Sequence, residues 1–431
     1  MQVSVESTGA LERRMEVQVP AERVEKAVDE RLQRMSRTVR LKGFRPGKVP
    51  VKVVRQQFGQ QVRQEVLGDV MQSTFNEAVV QEKLTPASGP RIEPINLEQG
   101  ADLKYRAVFE VLPQIQLKGV ESLSIERPAA TVSIADVDAM IQNLRERHPT
   151  YTAVEREAHD TDRVTVDFDG AIDGIPFEGG KGEGVAIELG LGRMLADFEA
   201  GLRGARAGES KEIELTFPAN YQAANLAGKQ AKFAIAVKLV EERKLPELDD
   251  EFCKLYGVEE GGIERLRSEV QENMERELAD AIRARVKKQV LDGLLAANPL
   301  ELPKSMVDTQ VRDLQIDAAR RMGARDASQI PAPEGFQDAA RRRVALSLLI
   351  GEIIRDANIQ VDQAQVQARF EELALQYPDS GQALQQYRSN PQFRRQMESA
   401  VLEDQVIDWI TQRAQVTEKS STFKEIMNFG A

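Results

Sequence analysis

The chain has 431 residues, a formal net charge of -11, 29% charged and 41% apolar residues, and one cysteine, Cys253. That length exceeds what one hydrophobic core can serve, so roughly two to four domains are expected. A lone thiol excludes an intrachain disulfide and suits a reducing compartment, and no run of about 18 apolar residues is present to cross a membrane.

Residues 1–112 read as strands, helices and strands again. Alternation over 1–8 and 14–19 predicts a hairpin turning near Thr8-Gly9. Pro20-Ala21-Glu22 opens a helix. Val24, Val28, Leu32, Met35 and Val39 recur at three- and four-residue spacing, which gives this helix one apolar face and an end near Gly43. A second helical pattern carries Val62, Val66, Val70 and Val79 with Phe75 among them. After turn residues at 86–90, the segments 91–98 and 103–112 resemble strands. The result is a small α+β domain with 18 cations against 15 anions, mildly basic in an acidic chain.

Between its two helices lies the octet Gly43-Phe44-Arg45-Pro46-Gly47-Lys48-Val49-Pro50. It sits in a segment that holds Arg31, Arg34, Arg37, Arg40, Lys42, Arg45, Lys48, Lys52, Arg55 and Arg63, with no acid between Glu30 and Glu65. The glycines permit backbone angles that other residues resist, and Pro46 and Pro50 stiffen the chain. A stiff basic loop with an aromatic tip suits a surface that offers both phosphates and a protein pocket. An ordinary solvated connection between helices would carry similar residues. No ladder of aromatics accompanies the loop, which argues against stacking on single-stranded bases. The octet resembles the ribosome-docking signature of the trigger factor family of bacterial ribosome-associated chaperones, Gly-Phe-Arg-x-Gly-x-x-Pro. Gly43, Phe44, Arg45, Gly47 and Pro50 fit it. The resemblance implies that Phe44, Arg45 and Lys48, with Gly43, Pro46 and Gly47 shaping the turn, meet ribosomal protein and RNA beside the polypeptide exit tunnel.

Residues 113–150 read as a connection broken by Pro113, Pro128 and Pro149, with Ser133 as N-cap of a helix through Val137, Ile141 and Leu144. Residues 151–245 change character. The segments 163–170, 185–189, 211–217 and 231–239 alternate as strands, Asp173-Gly174 marks a turn, and a short helix spans 194–202. Many strands with one short helix make a compact half-barrel. Phe168, Asp173-Gly174-x-x-Phe177-Glu178, Met194-Leu195-x-x-Phe198-Glu199-x-Gly201-Leu202, Phe217-Pro218, Tyr221 and Phe233 resemble an FKBP-type peptidyl-prolyl isomerase domain over 164–241. By that resemblance Phe168, Phe177, Glu178, Met194, Leu195, Phe198, Tyr221 and Phe233 are the catalytic-site candidates. Phe198 takes the floor position where single-domain members usually carry Trp, and Glu178 takes the position of their Asp. The chemistry asks for no nucleophile and no metal. Rotation about an X-Pro bond faces a barrier of about 18–20 kcal/mol from amide resonance. An apolar cradle favours the twisted, less polar amide over the planar, hydrated one. The same aromatics could equally be plain barrel core.

Residues 246–431 are mostly helical. Leu266, Val270, Met274, Leu278, Ile282, Val286 and Val290 recur along a long pattern over 263–295, which Pro299 and Pro303 interrupt. Leu300-Glu301-Leu302-Pro303-x-x-Met306-Val307 resembles the elbow between trigger factor arm helices. Helices are predicted at 303–322, 336–357, 362–376 and 391–416, with breaks at 330–333 and 377–381 and a frayed end over 418–431. Met274, Met306 and Met322 are adaptable apolar groups suited to varied clients, but periodicity alone does not separate a client face from a helix-packing face.

The histidines, His148 and His159, stand apart from Cys253 in no ligand spacing, so neither a metal site nor Cys-His or Ser-His-Asp catalysis is supported. No nucleotide-binding motif occurs, Gly190-x-Gly192 lacking a third glycine, and no cofactor is expected. Met1-Gln2-Val3-Ser4-Val5-Glu6 lacks the basic and apolar regions of a signal peptide, so a cytoplasmic protein is expected. The chain is identified as a member of the trigger factor family. Its implied architecture is multidomain α+β, comprising a docking domain over 1–112, a linker with a helix over 113–150, an FKBP-like half-barrel over 151–245 and an all-α body with arms over 246–431. The implied partners are the ribosome, with exit-tunnel protein and nearby rRNA, and nascent or unfolded polypeptides. No membrane partner is implied, and a homodimer off the ribosome is compatible. A dedicated prolyl isomerase with substrate-recruiting flanks and an RNA-binding protein stay open as alternatives.

Overall fold

The structure is a computed structural model that describes residues 1–41, 44, 47–192, 194–221, 223, 225–323, 326, 330–374 and 380–428. It contains two compact units, one formed by 1–127 with 284–418 and the other by 128–283 with 419–431. Among the described residues no helix is long and apolar enough to cross a membrane.

The chain opens with β1 (Gln2–Ser7) and β2 (Glu12–Val19), a hairpin closed by the Thr8 amide on the Glu12 carbonyl at 3.2 Å. Then follow α1 (Ala21–Thr38), α2 (Val51–Gln81), β3 (Arg91–Asn96) and β4 (Leu103–Glu110). The strands form an antiparallel sheet in the order β1-β2-β4-β3. Met15, Val17 and Val19 pair with Ala107, Tyr105 and Leu103, so that these buried residues share one sheet face. Val24, Val28 and Leu32 of α1 and Val62, Val66, Val70 and Phe75 of α2 bury against it. Phe75 meets Phe109 edge-on at 5.1 Å. The Tyr105 hydroxyl finds Thr74 Oγ1 at 2.8 Å and the Met71 carbonyl at 3.1 Å, as a buried phenol requires. Helix α1 ends at Thr38, short of the expected Gly43, because Val39 turns into extended backbone (φ -66°, ψ 141°).

The connection that follows is more ordered than its prolines suggest. It includes β5 (Ser124–Ala129) before α3 (Ile134–Glu146). Ser133 and Asp136 form a reciprocal capping box at the start of α3.

Next come β6 (Thr150–Ala153), β7 (Arg163–Ile172), β8 (Ile175–Glu188), α4 (Ala196–Leu202), β9 (Ser210–Thr216) and β10 (Gln230–Lys244). They make an antiparallel half-barrel in the order β6-β10-β7-β8, with β9 also on β10. Strand β8 is longer than the predicted 185–189. Its glycine-rich first half hides the alternation, yet it pairs with β7 across the turn at Asp173 and Gly174, whose φ values are +51° and +78°.

Helices α5 (Asp250–Leu255), α6 (Gly262–Ala297), α7 (Lys304–Arg321), α8 (Gln337–Asp356), α9 (Gln363–Ala374), α10 (Ser380–Ser389) and α11 (Pro391–Thr411) follow. Helix α10 stands where part of a break was expected; 377–379, the rest of that break, lie outside the described residues. The end of the chain is not frayed as predicted. Strand β11 (Gln415–Ser420) pairs with β5, and α12 (Phe423–Met427) begins with a Thr422–Glu425 capping box and buries Phe423 and Ile426. The molecule is thus multidomain α+β, with a half-barrel and a largely helical C-terminal region.

Candidate functional site

The half-barrel encloses a cavity of about 460 Å³ whose lining includes Phe168, Phe177, Glu178, Met194, Leu195, Phe198, Tyr221 and Phe233, all eight of the predicted residues. Phe233 on β10 is the hub. Its ring meets Phe198 at 5.4 Å, Phe168 at 5.9 Å and Phe177 at 6.0 Å, each edge-on. Phe168 meets Phe198 at 5.8 Å. The strands place these rings through missing side chains. Phe233 pairs with Gly170, and a Cβ there would stand 2.5 Å from the Phe233 ring. Phe168 pairs with Gly182, where a Cβ would stand 2.7 Å from the Phe168 ring.

Burial separates floor from rim. Phe198 and Phe233 are 2% and 6% exposed and form the floor. Phe168, Phe177, Met194 and Leu195 are half-buried, while Tyr221 and Glu178 lie open at the edge. A carboxylate at the rim rather than the floor leaves the interior apolar, as a site for a less polar, twisted amide requires. Sequence reasoning missed Phe217 as a lining residue, together with Leu215, Ala223 and Leu226. Phe217 meets Phe177 at 5.9 Å and Tyr221 at 4.8 Å, joining floor to rim. Alternation along 211–217 was the signal that could have found it.

Another groove, of about 420 Å³, crosses the half-barrel elsewhere and is lined by charges of both signs, including Asp167, Lys181, Glu183, Lys211 and Glu212. Lys238 and the Gly184 amide both bond the Asp167 carboxylate, at 2.8 Å each, and hold it below the usual carboxylate range. This polar groove does not suit amide rotation; the aromatic cavity does. Among the described residues no cluster of His, Cys, Asp or Glu could hold a metal.

Of the docking candidates, Phe44, Gly47 and Lys48 are described, while Gly43, Arg45 and Pro46 lie outside the described residues. The chain is anchored on both sides of Phe44. Leu41 packs against the core of the first α+β domain, and Val49 is buried in it. The Phe44 amide bonds the Leu41 carbonyl at 3.2 Å, yet its side chain is 40% exposed. Gly47 takes φ +77°. The surrounding cations divide into two groups. Arg31, Arg55 and Arg63 are neutralised by Glu65, Asp29 and Glu25 across the α1–α2 pair. Among the described residues Arg34, Arg37, Arg40, Lys48 and Lys52 pair with no carboxylate. Among the described cations, those nearer to Phe44 in sequence are thus the ones without a carboxylate partner.

The methionines separate as well. Met274 belongs to a core with Val137, Ile141, Leu278 and Phe423, Met306 is half-buried, and Met322 stands 65% exposed.

An antiparallel half-barrel folded with one short helix over an aromatic cavity defines the FKBP class of peptidyl-prolyl isomerase domain. Comparisons with known proteins agree. The family description "FKBP-type peptidyl-prolyl cis-trans isomerase" matches residues 154–240, "Bacterial trigger factor protein (TF)" matches 1–144, and "Bacterial trigger factor protein (TF) C-terminus" matches 262–412. Trigger factor of Thioalkalivibrio sulfidiphilus is 47% identical over 428 residues, covering 99% of this chain and 98% of its own. That of Azotobacter vinelandii is 47% identical over 426 residues, with the same coverage. That of Pseudomonas syringae pv. syringae is 46% identical over 426 residues, again with the same coverage. The chain belongs to the trigger factor family: it is a molecular chaperone with an FKBP-type peptidyl-prolyl cis-trans isomerase domain.

Proposed function

We propose that this chain docks beside the ribosomal exit tunnel through Phe44, Arg45 and Lys48, with Gly43, Pro46 and Gly47 shaping the loop. There it shields nascent and unfolded polypeptides with its helical arms and turns their X-Pro bonds in the aromatic cradle. Phe168, Phe177, Met194, Leu195, Phe198 and Phe233 would supply the apolar walls and floor, with Glu178 and Tyr221 at the rim. The working division is docking domain 1–112, linker 113–150, isomerase 151–245 and client-binding body 246–431. The compartment is the cytoplasm, and release follows from weak, multivalent contacts rather than nucleotide hydrolysis.

One observation carries the docking reading. The exposed Phe44 lies between the anchored Leu41 and Val49, and among the described cations of its segment those nearer to it in sequence pair with no carboxylate, while Arg31, Arg55 and Arg63 are neutralised within the fold. An apolar tip amid free positive charge matches a surface of protein and RNA together. The test is co-sedimentation with 70S ribosomes, comparing the wild type with a Phe44→Ala, Arg45→Ala, Lys48→Ala variant. Loss of binding supports the assignment, and unchanged binding reduces the loop to a solvated connection.

A further inference from the structure

The turn before α4 is held by a side chain that does not line the cradle. Glu199, in the first turns of α4, is a carboxylate only 4% exposed. Its Oε2 accepts the Gly190 amide at 2.9 Å and its Oε1 accepts the Met194 amide at 3.2 Å. One carboxylate thus ties together two points that bracket the turn. Gly190 and Gly192 take φ values of +80° and +66° and bring no side chain of their own to hold the backbone there. Meanwhile the Leu195 carbonyl accepts the amides of Phe198 and Glu199 at 2.9 and 3.1 Å, so the backbone of Leu195 is fixed by the same helix end. Met194 and Leu195 are the cradle wall that follows the turn.

We infer that Glu199 is a positioning residue for the isomerase reaction, fixing the Met194–Leu195 wall by stapling Gly190 to Met194. The inference rests on the proposed role of Met194 and Leu195 in the cradle. A wall that must match a twisted amide loses its selectivity for that form once it can move, because loose placement costs more in the transition state than in the ground state. Glutamine in place of Glu199 keeps one oxygen acceptor but sets an NH₂ donor against one of the two amides, so one end of the staple is released.

The test is a double-mutant cycle in the full chain, with a short peptide carrying one Leu-Pro bond as substrate. Glu199→Gln, Met194→Ala and the double variant are compared by kcat/KM, and amide exchange at Gly190 and Met194 is followed by NMR. Each single variant is expected to lower kcat/KM by about tenfold, the double variant to fall no further than the worse single, and Glu199→Gln to speed exchange at those two amides. An unaffected Met194→Ala variant overturns the cradle role beneath the inference. An effective Met194→Ala beside an unaffected Glu199→Gln, or additive losses, overturns the inference itself. Should Glu199→Gln fail to fold, the wild type decides: the Gly190 and Met194 amides must exchange more slowly than those of Leu191 and Gly192, and equal rates overturn the staple.

Discussion

The Phe233 ring lies against the backbone of its cross-strand partner Gly170, so close that a Cβ on Gly170 would stand 2.5 Å from the ring. Because Phe233 also meets Phe168, Phe177 and Phe198, displacing it disturbs the whole cradle. Gly170→Ala is expected to destabilise the isomerase domain by about 1–3 kcal/mol, the usual cost of overpacking. The kcat/KM on an X-Pro peptide should fall with it. Calorimetry and a peptide isomerisation assay check both.

Isomerase and client-shielding activity should separate. Phe198 is buried in the floor, so Phe198→Ala would cost the domain about 3–5 kcal/mol. Phe198→Leu keeps most of the volume and is the better probe. It should reduce kcat/KM tenfold or more, in line with removal of an aromatic floor. Suppression of aggregation of a denatured client should remain within about twofold of wild type, since the arms are untouched. Parallel loss of both activities would favour a dedicated isomerase.

The start of α7 carries a pH dependence. Its N-cap, Pro303, offers no side-chain acceptor, and Glu110 at the end of β4 serves instead. It accepts the amides of Lys304 and Ser305 at 2.9 and 2.8 Å and the Ser305 hydroxyl at 2.6 Å. Burial pushes the Glu110 carboxyl up, but these hydrogen bonds outweigh it and hold the group below its ordinary value of 4.5. A depressed carboxyl contributes stability above its unfolded value, and that contribution is lost as pH falls through the folded one. Glu110→Gln should therefore cost about 1–2 kcal/mol at neutral pH. Its deficit against wild type should shrink as pH falls below the ordinary carboxyl value of 4.5, as read from urea unfolding at a series of pH values.

Cys253 should be unreactive in the folded chain. Burial pushes its thiol up, and the nearby Asp250 and Asp249 carboxylates push it further the same way. At pH 8 a disulfide reagent should label native protein far more slowly than unfolded protein; equal rates would show that the site opens readily.

What the sequence disclosed follows the range of the interactions involved. The β1–β2 hairpin, the α1 face and the Ser133 cap are set by neighbours a few residues apart, and all were readable. Strand β11 was not, because its partner β5 lies far back in the chain and neither strand alternates strongly. The α12 cap, Thr422-x-x-Glu425, was present as a local signal but heads a helix of only 5 residues. In the cradle, the aromatic residues carried their own signature. Glu199 falls within the same motif, but its role does not show there, since that depends on hydrogen bonds to the Gly190 and Met194 amides. Likewise, no spacing rule shows that Arg31, Arg55 and Arg63 are neutralised while, among the described residues, Arg34, Arg37, Arg40, Lys48 and Lys52 pair with no carboxylate.

The central claim is that the loop around Phe44 recognises a composite of protein and RNA, and binding equilibria test it most directly. The full chain is titrated at physiological salt against intact 70S ribosomes and, separately, against naked ribosomal RNA. Contacts with RNA phosphates alone would give similar affinities for both and a steep salt dependence. The account predicts firm binding to ribosomes and barely detectable binding to naked RNA, since the aromatic tip needs a protein pocket and the chain as a whole carries a net charge of -11. Equal affinity for the two would contradict it.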